Sequence, residues 1–222
     1  MKRALALLAF VATQAAVAAP NLLVNGGFES TFVADGSWVN VSTTAGWTWL
    51  GGPGSGFEIR NSVAGSAQEG RNYIELDTNG NTLMGQYVDN LSAGIQLDLS
   101  FWYSPREYQP ASTNGIVVFW NGVQLGDILT GDGGVGNVWR QQQVVVTAQA
   151  GRNLLSFASV GSSDGVGGSL DNVSLNRVPE PGTLALTFAA LASALWLPRT
   201  LRRHAEQRRA VALASALKRD SV

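Results

Sequence analysis

The sequence predicts an all-β protein, an antiparallel β-sandwich, for residues 19–177. Apolar stretches in this region are brief, and turn-forming pairs such as Asn79-Gly80, Asn121-Gly122 and Asp132-Gly133 separate them. Between residues 19 and 178 no apolar stripe recurs with the period of a helix. Because a parallel α/β sheet would need intervening helices, an antiparallel sandwich is favoured.

Period-two alternation identifies the strands. In residues 95–103 every odd-numbered residue is apolar, which is the period of a half-buried strand. Trp102 falls on the polar side of this strand, with Asp98 and Ser100. Other predicted strands are rich in β-branched or aromatic residues and cover residues 73–77, 83–88, 116–120, 139–147, 154–160 and 169–175. At this spacing the region has room for about ten strands.

Charge is distributed unevenly along the 222 residues. Residues 19–178 contain six arginines, no lysine and thirteen acids, a net charge of −7, whereas the residues after Pro198 contain seven basic residues and two acids, a net charge of +5. Binding to nucleic acid depends on neutralising phosphates, so the acidic body predicts no nucleic-acid partner.

Two residue types that carry much enzyme chemistry are scarce. The chain has no cysteine, and its single histidine, His204, lies in the basic tail. Disulfides, thiolate catalysis and cysteine-ligated metals are therefore excluded for the whole sequence. Histidine-dependent triads and histidine-rich metal sites are excluded for the body.

The first eighteen residues have the pattern of a secretory signal peptide. Lys2 and Arg3 precede an apolar run over residues 4–12, and the small residues Ala16 and Ala18 complete the cleavage motif. We expect signal peptidase to cut after Ala18 and the protein to be exported. The alternative, an amphipathic first helix, would need a polar face that this run lacks.

The C-terminal region has three parts in order. A Pro-Glu-Pro box at residues 179–181 is followed by an apolar run over residues 183–198 and a basic cluster over residues 199–209. The apolar run predicts one transmembrane helix. This helix would be short, because about 20 residues are needed to cross a bilayer comfortably. Arginines remain on the cytoplasmic side, so the acidic body would lie outside and residues 210–222 would form a cytoplasmic extension. The box is Pro179, Glu180 and Pro181, and the basic cluster contains Arg199, Arg202, Arg203, Arg208 and Arg209.

Together these parts, residues 178–209, resemble a PEP-CTERM sorting signal. The resemblance implies that an exosortase, a membrane protease-transpeptidase of Gram-negative bacteria that make exopolysaccharide and biofilm matrix, removes the tail. It also implies transient membrane association at the inner membrane, followed by delivery to the cell surface or the extracellular matrix. Such tails usually end soon after the arginines, so residues 210–222 depart from the pattern. A plain tail anchor with the same topology is the alternative.

The body resembles the galactose-binding-like jelly rolls, the β-sandwich of many bacterial carbohydrate-binding modules. The resemblance rests on the Asn-Gly-Gly-Phe-Glu start at residues 25–29, on Gly46-Trp47, on residues 68–77 and on the Leu-Asp-Asn-Val end at residues 170–173. It implies a jelly-roll fold and polysaccharide as a partner, although one fold hosts many functions.

The same resemblance implies a structural Ca²⁺ ion where the two ends of the body meet. Calcium takes about six to eight oxygen ligands. Glu29 and Asp171 are the expected ligands, supplemented by backbone oxygens near Glu69 and Asn72. The alternative is that Glu29 caps a turn and Asp171 accepts hydrogen bonds from neighbouring amides.

Three functions are compatible with these features. The favoured one is a non-catalytic matrix or adhesion protein that associates with exopolysaccharide through Trp102, Arg106 and Tyr108, because an aromatic ring can lie flat against the C–H face of a sugar. The second is a structural envelope module that binds no sugar. The third is a glycoside hydrolase or polysaccharide lyase, for which Glu58, Glu75 and Asp77 would supply paired carboxylates.

Overall fold

The computed structural model describes residues 20–178, which form twelve β-strands. The predicted signal peptide, sorting box, transmembrane segment and basic cluster lie outside the described residues. Within residues 20–178 no helix has the length and apolar character needed to cross a membrane. The strands are β1 (Ser37–Val41), β2 (Thr43–Thr44), β3 (Trp47–Gly51), β4 (Phe57–Asn61), β5 (Asn72–Glu75), β6 (Leu83–Leu91), β7 (Gln96–Ser104), β8 (Gly115–Trp120), β9 (Val123–Leu129), β10 (Arg140–Thr147), β11 (Gly151–Val160) and β12 (Ser169–Arg177).

The strands form two six-stranded sheets. The first sheet has the order β1-β4-β5-β12-β7-β10, and the second has the order β2-β3-β6-β11-β8-β9. All of the strand pairs are antiparallel. Most connections after β5 carry the chain from one sheet to the other, which is how a sandwich buries one face of each sheet. The predicted antiparallel β-sandwich is confirmed.

The predicted strands all occur, as β5, β6, β7, β8, β10, β11 and β12. The structure adds β1 to β4 and β9, which the alternation does not predict. Serine, threonine and glycine are frequent in β1 to β3, and β9 contains Gly126 and Asp127. Residues of these types have low intrinsic strand preference or little apolar character. The strands that contain them therefore form because neighbouring strands pair with them.

Four aromatic rings connect the inner faces of the two sheets. Phe28 lies 5.4 Å from Trp47, Trp47 lies 6.1 Å from Phe157, and Phe157 lies 5.2 Å from Phe101, measured between ring centroids. All four side chains are buried. Rings at these separations and tilted angles contribute both buried area and favourable edge contacts.

The N-terminal segment of the body is tied to the last strand. The Leu22 N–H donates to the Leu175 carbonyl at 2.9 Å, and the Val173 N–H donates to the Gly26 carbonyl at 2.9 Å. A Cβ at Gly26 would lie 1.9 Å from the Val173 carbonyl oxygen, so this close approach requires glycine. Hydrogen bonds thus hold the two ends of the body together at β12.

Candidate functional site

Trp102, the first predicted glycan-binding residue, lies on the outer face of the first sheet. Its cross-strand partners are Gln141 of β10 and Asp171 of β12. The Trp102 side chain is half-buried, whereas its neighbours Phe101 and Tyr103 belong to the buried core. This is the placement that the alternation of β7 predicts.

The other two predicted glycan-binding residues, Arg106 and Tyr108, differ in the exposure of their side chains. Nη1 of Arg106 lies 2.9 Å from both carboxylate oxygens of Glu75, and the Arg106 side chain is 18% exposed. Tyr108 is 70% exposed and has a left-handed backbone (φ 57°). Tyr108 therefore offers its ring to solvent, while the guanidinium of Arg106 is largely engaged within the protein.

Arg106 belongs to a buried network of four charges on the outer face of the first sheet. Arg60 Nη2 lies 2.6 Å from Oε2 of Glu58 and 3.0 Å from Oε1 of Glu75. Arg60 Nη1 lies 2.9 Å from Oε2 of Glu75 but outside hydrogen-bonding geometry. When Glu75 is ionised, two carboxylates and two guanidinium groups balance in charge, which offsets part of the cost of burying them.

The network engages two of the carboxylates that a glycosidase mechanism would need. Glu58 and Glu75 are cross-strand partners on β4 and β5, and Arg60 binds both. Glu75 has no exposed surface. Burial raises the pKa of Glu75 to about 8, while Arg60 and Arg106 act in the opposite direction. In this arrangement the Glu75 carboxylate faces arginine side chains and not a cleft that a sugar could enter.

Asp77, the third carboxylate proposed for a glycoside hydrolase or polysaccharide lyase, binds a different loop. Its side chain accepts the backbone N–H groups of Asp164 at 3.1 Å and Gly165 at 3.3 Å. Burial raises the pKa of Asp77, and these two hydrogen bonds lower it. Asp77 therefore acts in the structure as an acceptor for the loop that precedes β12.

Asp171, one of the two predicted calcium ligands, is fully buried and accepts three backbone N–H groups. Its Oδ2 accepts from Gln68 at 2.7 Å and Glu69 at 3.1 Å, and its Oδ1 accepts from Asn172 at 2.6 Å. Burial raises the pKa of Asp171 to about 7, although the three hydrogen bonds lower it. Asp171 thus anchors the loop between β4 and β5, here called the 66–72 loop.

Glu29, the other predicted ligand, holds the same loop at its far end. Its Oε1 accepts the N–H groups of Arg71 at 2.7 Å and Asn72 at 2.8 Å. Gly70 has φ +67°, and a Cβ at this position would lie 2.3 Å from Oε1 of Glu29. A glycine is therefore needed where the loop turns against this carboxylate.

These contacts match the hydrogen-bonding alternative for both carboxylates. Calcium coordination was expected to draw on backbone oxygens near Glu69 and Asn72, but N–H groups of these residues face the carboxylates. Among the residues that the structure describes, His, Cys, Asp and Glu side chains form no group of three or more with the spacing of a metal site. The calcium site stays a prediction.

An open groove lies between the 66–72 loop and the segment that precedes β1, and we call it the loop groove. Its volume is about 360 Å³. The Phe32 ring is 80% exposed at one side, and the Arg71 side chain, at the other, is 65% exposed. The exposed Asp35 adds a carboxylate. The lining is completed by Val33, Ala34, Asn61, Ser62, Ser66, Ala67 and Gly70.

Sequence reasoning did not identify the loop groove. The predicted glycan-binding residues were chosen around Trp102 of β7. Phe32, by contrast, is a single aromatic residue in a short segment outside any predicted strand. The one signal in the sequence that could indicate an exposed ring is that Phe32 is a large aromatic residue close to turn-forming residues. Few neighbouring side chains are available there to cover it.

Two curated proteins resemble this chain in sequence. The multifunctional-autoprocessing repeats-in-toxin protein of Vibrio cholerae serotype O1 is 34% identical over 159 residues, 71% of this chain. The protein of the same name from Vibrio vulnificus is 32% identical over 160 residues, 70% of this chain. The chain spans only 3% of the length of each relative. No protein-family model matches the sequence.

Solved structures resemble the body in three dimensions. An arabinose-bound GH51 α-L-arabinofuranosidase, named MgGH51, has a TM-score of 0.50 and 11% identity, covering 72% of this chain and 27% of that chain. TmCBM61 in complex with β-1,4-galactotriose has a TM-score of 0.46 and 16% identity, covering 72% and 99%. A family 16 carbohydrate-binding module has a TM-score of 0.46 and 20% identity, covering 70% and 99%. The first likeness concerns the fold alone.

Proposed function

We propose that the β-sandwich is a non-catalytic polysaccharide-binding module and that the loop groove is its binding site. The observation that carries this proposal is the exposed Phe32 ring, which shares an open groove with the Arg71 guanidinium and the Asp35 carboxylate. A ring can lie against the C–H face of a sugar, while guanidinium and carboxylate groups hydrogen-bond to hydroxyls. Binding sites commonly combine one apolar surface with a few polar groups of this kind.

The wall of the groove is held before any ligand arrives. Asp171 and Glu29 fix the backbone of the 66–72 loop from both ends through N–H bonds of 2.7 to 3.1 Å. A site that needs little ordering on binding loses less conformational entropy. This pre-organisation supports the groove as a recognition surface.

Trp102, Arg106 and Tyr108 form a second proposed contact region. The exposure of Tyr108 supports a role for its ring. Arg106 contributes to this region by holding the start of the segment that carries Tyr108, since its guanidinium binds Glu75. A long polysaccharide could engage both regions, and single substitutions distinguish them.

Export and sorting belong to the same proposal. The signal-peptide pattern of residues 1–18 and the tripartite tail of residues 178–209 support secretion, exosortase processing and release to the cell surface or extracellular matrix. There the acidic body would associate with exopolysaccharide. The alternative is a surface-delivered structural module that binds no sugar.

A structural Ca²⁺ ion between Glu29 and Asp171 is a separate proposal. It is supported by two carboxylates from opposite ends of the body that hold one loop. Both carboxylate oxygens of Asp171 and Oε1 of Glu29 already accept amide hydrogen bonds, so an ion there would share these oxygens with the 66–72 loop.

Affinity gel electrophoresis with purified exopolysaccharide tests the function. We expect Phe32→Ala to weaken retention about three- to tenfold, the range for loss of one aromatic contact. Tyr87→Ala, which removes another exposed ring on the second sheet, is the matched control and should leave retention unchanged. Loss of retention only in Trp102→Ala or Tyr108→Ala would move the site to the second region.

The same purified exopolysaccharide also tests the two alternative functions, a structural module and an enzyme. Absence of retention by every polysaccharide for the unaltered protein would favour the structural module. Release of reducing sugar that Glu75→Gln abolishes would replace the binding module with an enzyme.

A further inference from the structure

Strand β10 ends the first sheet with an open edge. It pairs with β7 over all eight of its residues, and within residues 20–178 no strand pairs with its other side. The strand has no proline, and its one charged residue, Arg140, stands at its start. Such a long and regular edge offers unpaired N–H and C=O groups to another strand.

The other three sheet edges are shorter or interrupted. β2 has two residues and β1 has five. β9 has a register shift opposite β8, a left-handed Gly126 (φ +64°) and the charged Asp127. Short strands, bulges and charges are the devices by which proteins block pairing at an edge. β10 is eight residues long and has no bulge, and its one charge is at its first residue, Arg140.

The orientation of the free backbone groups follows from the hydrogen bonds beside β10. The Ala148 N–H donates to the Ile95 carbonyl at 2.9 Å, so Ala148 bonds toward β7. Hydrogen bonding alternates along an antiparallel strand. The odd-numbered residues therefore direct their N–H and C=O groups away from β7. These are Gln141, Gln143, Val145 and Thr147, and the Thr147 carbonyl already accepts the Trp120 Nε1–H at 2.9 Å.

An apolar slot lies directly beside this edge, between β10 and β9. Two clefts of about 230 and 290 Å³ meet at Leu125. Val145 is 56% exposed at the rim. A strand added to β10 would lay every second side chain over this slot. Its lining includes the apolar residues Phe101, Val118, Leu125 and Val144, together with Asp127 and Gln143.

We propose that β10 pairs antiparallel with β10 of a second copy of the chain, around a two-fold axis at Val144. This register places Gln143 of each copy opposite Val145 of the other as a hydrogen-bonded pair. Residues 141–147 carry no charge, so self-pairing opposes no like charges. The contact uses the same patch on both copies and closes after two, as a two-fold interface does. It does not depend on glycan binding.

An introduced cysteine tests this register in the full chain, which contains no other thiol. The two copies of Val144 would form a non-hydrogen-bonded pair with Cα atoms about 4.5 Å apart, within the disulfide range. We expect Val144→Cys to give a covalent dimer on oxidation, about tenfold more than Val24→Cys, because the thiols are held together. Val24 is 57% exposed and lies on the N-terminal segment, outside β10 and the slot, so it controls for random collision.

A proline tests the backbone pairing. Gln143→Pro, added to Val144→Cys, removes an N–H that faces the open edge and leaves the bonds to β7 in place. Gln124→Pro is the matched control, because Gln124 lies on the other edge strand, β9. Val123 closes the Asn121-Gly122 turn by pairing with Trp120. The N–H of the next residue, Gln124, therefore points away from β8, as the Gln143 N–H points away from β7. We expect Gln143→Pro to abolish the covalent dimer and Gln124→Pro to preserve it. Circular dichroism establishes that each variant is folded.

Two results would overturn the proposal. One is equal crosslinking, or none, for cysteines at positions 144 and 24 in folded protein. The other is a covalent dimer that Gln143→Pro leaves unchanged.

Discussion

The Asp171 carboxylate accepts the backbone N–H of Gln68 at 2.7 Å, although 103 positions separate the two residues in the sequence. Asp171 is on β12 in the first sheet, and Gln68 is on the loop that forms one wall of the loop groove. This single contact joins the end of the body to its candidate binding site.

Asp171→Ala should loosen the groove and destabilise the body. Loss of the carboxylate leaves the N–H groups of Gln68 and Glu69 without their acceptor, which costs about 1–3 kcal/mol of unfolding free energy when such groups are buried. Urea unfolding measures the change, and polysaccharide retention should weaken with it. Asp89→Ala is the control, since Asp89 forms an exposed pair with Arg152; an equal loss in both variants would contradict the anchoring role.

Gly70→Ala should cost more stability than Gly94→Ala. Both glycines have positive φ, +67° and +84°, so both substitutions add about 1–3 kcal/mol of backbone strain at most. Only at Gly70 would the new Cβ meet an atom, Oε1 of Glu29 at 2.3 Å; nothing lies within 4 Å at Gly94. Thermal melting of the two variants isolates this steric contribution, and equal melting temperatures would show that the 66–72 loop can move away from Glu29.

Removal of Arg60 should be strongly destabilising. Arg60→Met leaves Glu58 and Glu75 buried without this counter-ion, and breaking a buried ion pair costs about 3–5 kcal/mol. Arg152→Met removes an exposed ion pair with Asp89 and should cost about 0–1 kcal/mol. Chemical unfolding compares them, and similar losses would mean that the buried network contributes little to stability.

The stability of the body should fall as pH rises from about 4 to about 7. The pKa of Asp171 is raised from 3.8 to about 7 by burial, so across this window the folded state keeps a proton that the unfolded state has released. Folding then becomes less favourable by up to about 1.4 kcal/mol for each pH unit, and this contribution levels off above pH 7. Glu75, with its pKa raised to about 8, extends the trend.

Urea midpoints between pH 4.5 and 8.5 measure this slope. Asp171→Asn should reduce it below pH 7, because that side chain does not titrate. Stability that rises over the same interval would show that Asp171 is ionised in the folded protein.

The calcium proposal predicts that chelator lowers the melting temperature and that Asp171→Ala removes the difference. An ion that binds only the folded state stabilises it, and this stabilisation grows with the logarithm of the free ion concentration relative to Kd. A melt that does not change with chelator or with added Ca²⁺ would leave hydrogen bonding as the whole role of Glu29 and Asp171.

The alternation of residues 95–103 was sufficient to predict β7 and the outward placement of Trp102, because alternation reports directly which face of a strand its own sheet buries. The order of box, apolar run and arginines at the C-terminus lies outside the described residues, so the sorting signal stays a prediction. Short strands such as β2 were not predictable, since their pairing comes from neighbours and not from their own pattern.

By itself, the sequence determined an all-strand acidic body, since these properties depend on local period, composition and charge. The signal peptide and the sorting tail stay predictions. Only the tertiary structure decided that Asp171 holds the 66–72 loop, that Phe32 faces a groove, and that one edge of β10 has no partner strand within residues 20–178. Each of these depends on which distant segments cover a given surface, and local patterns carry no information about that.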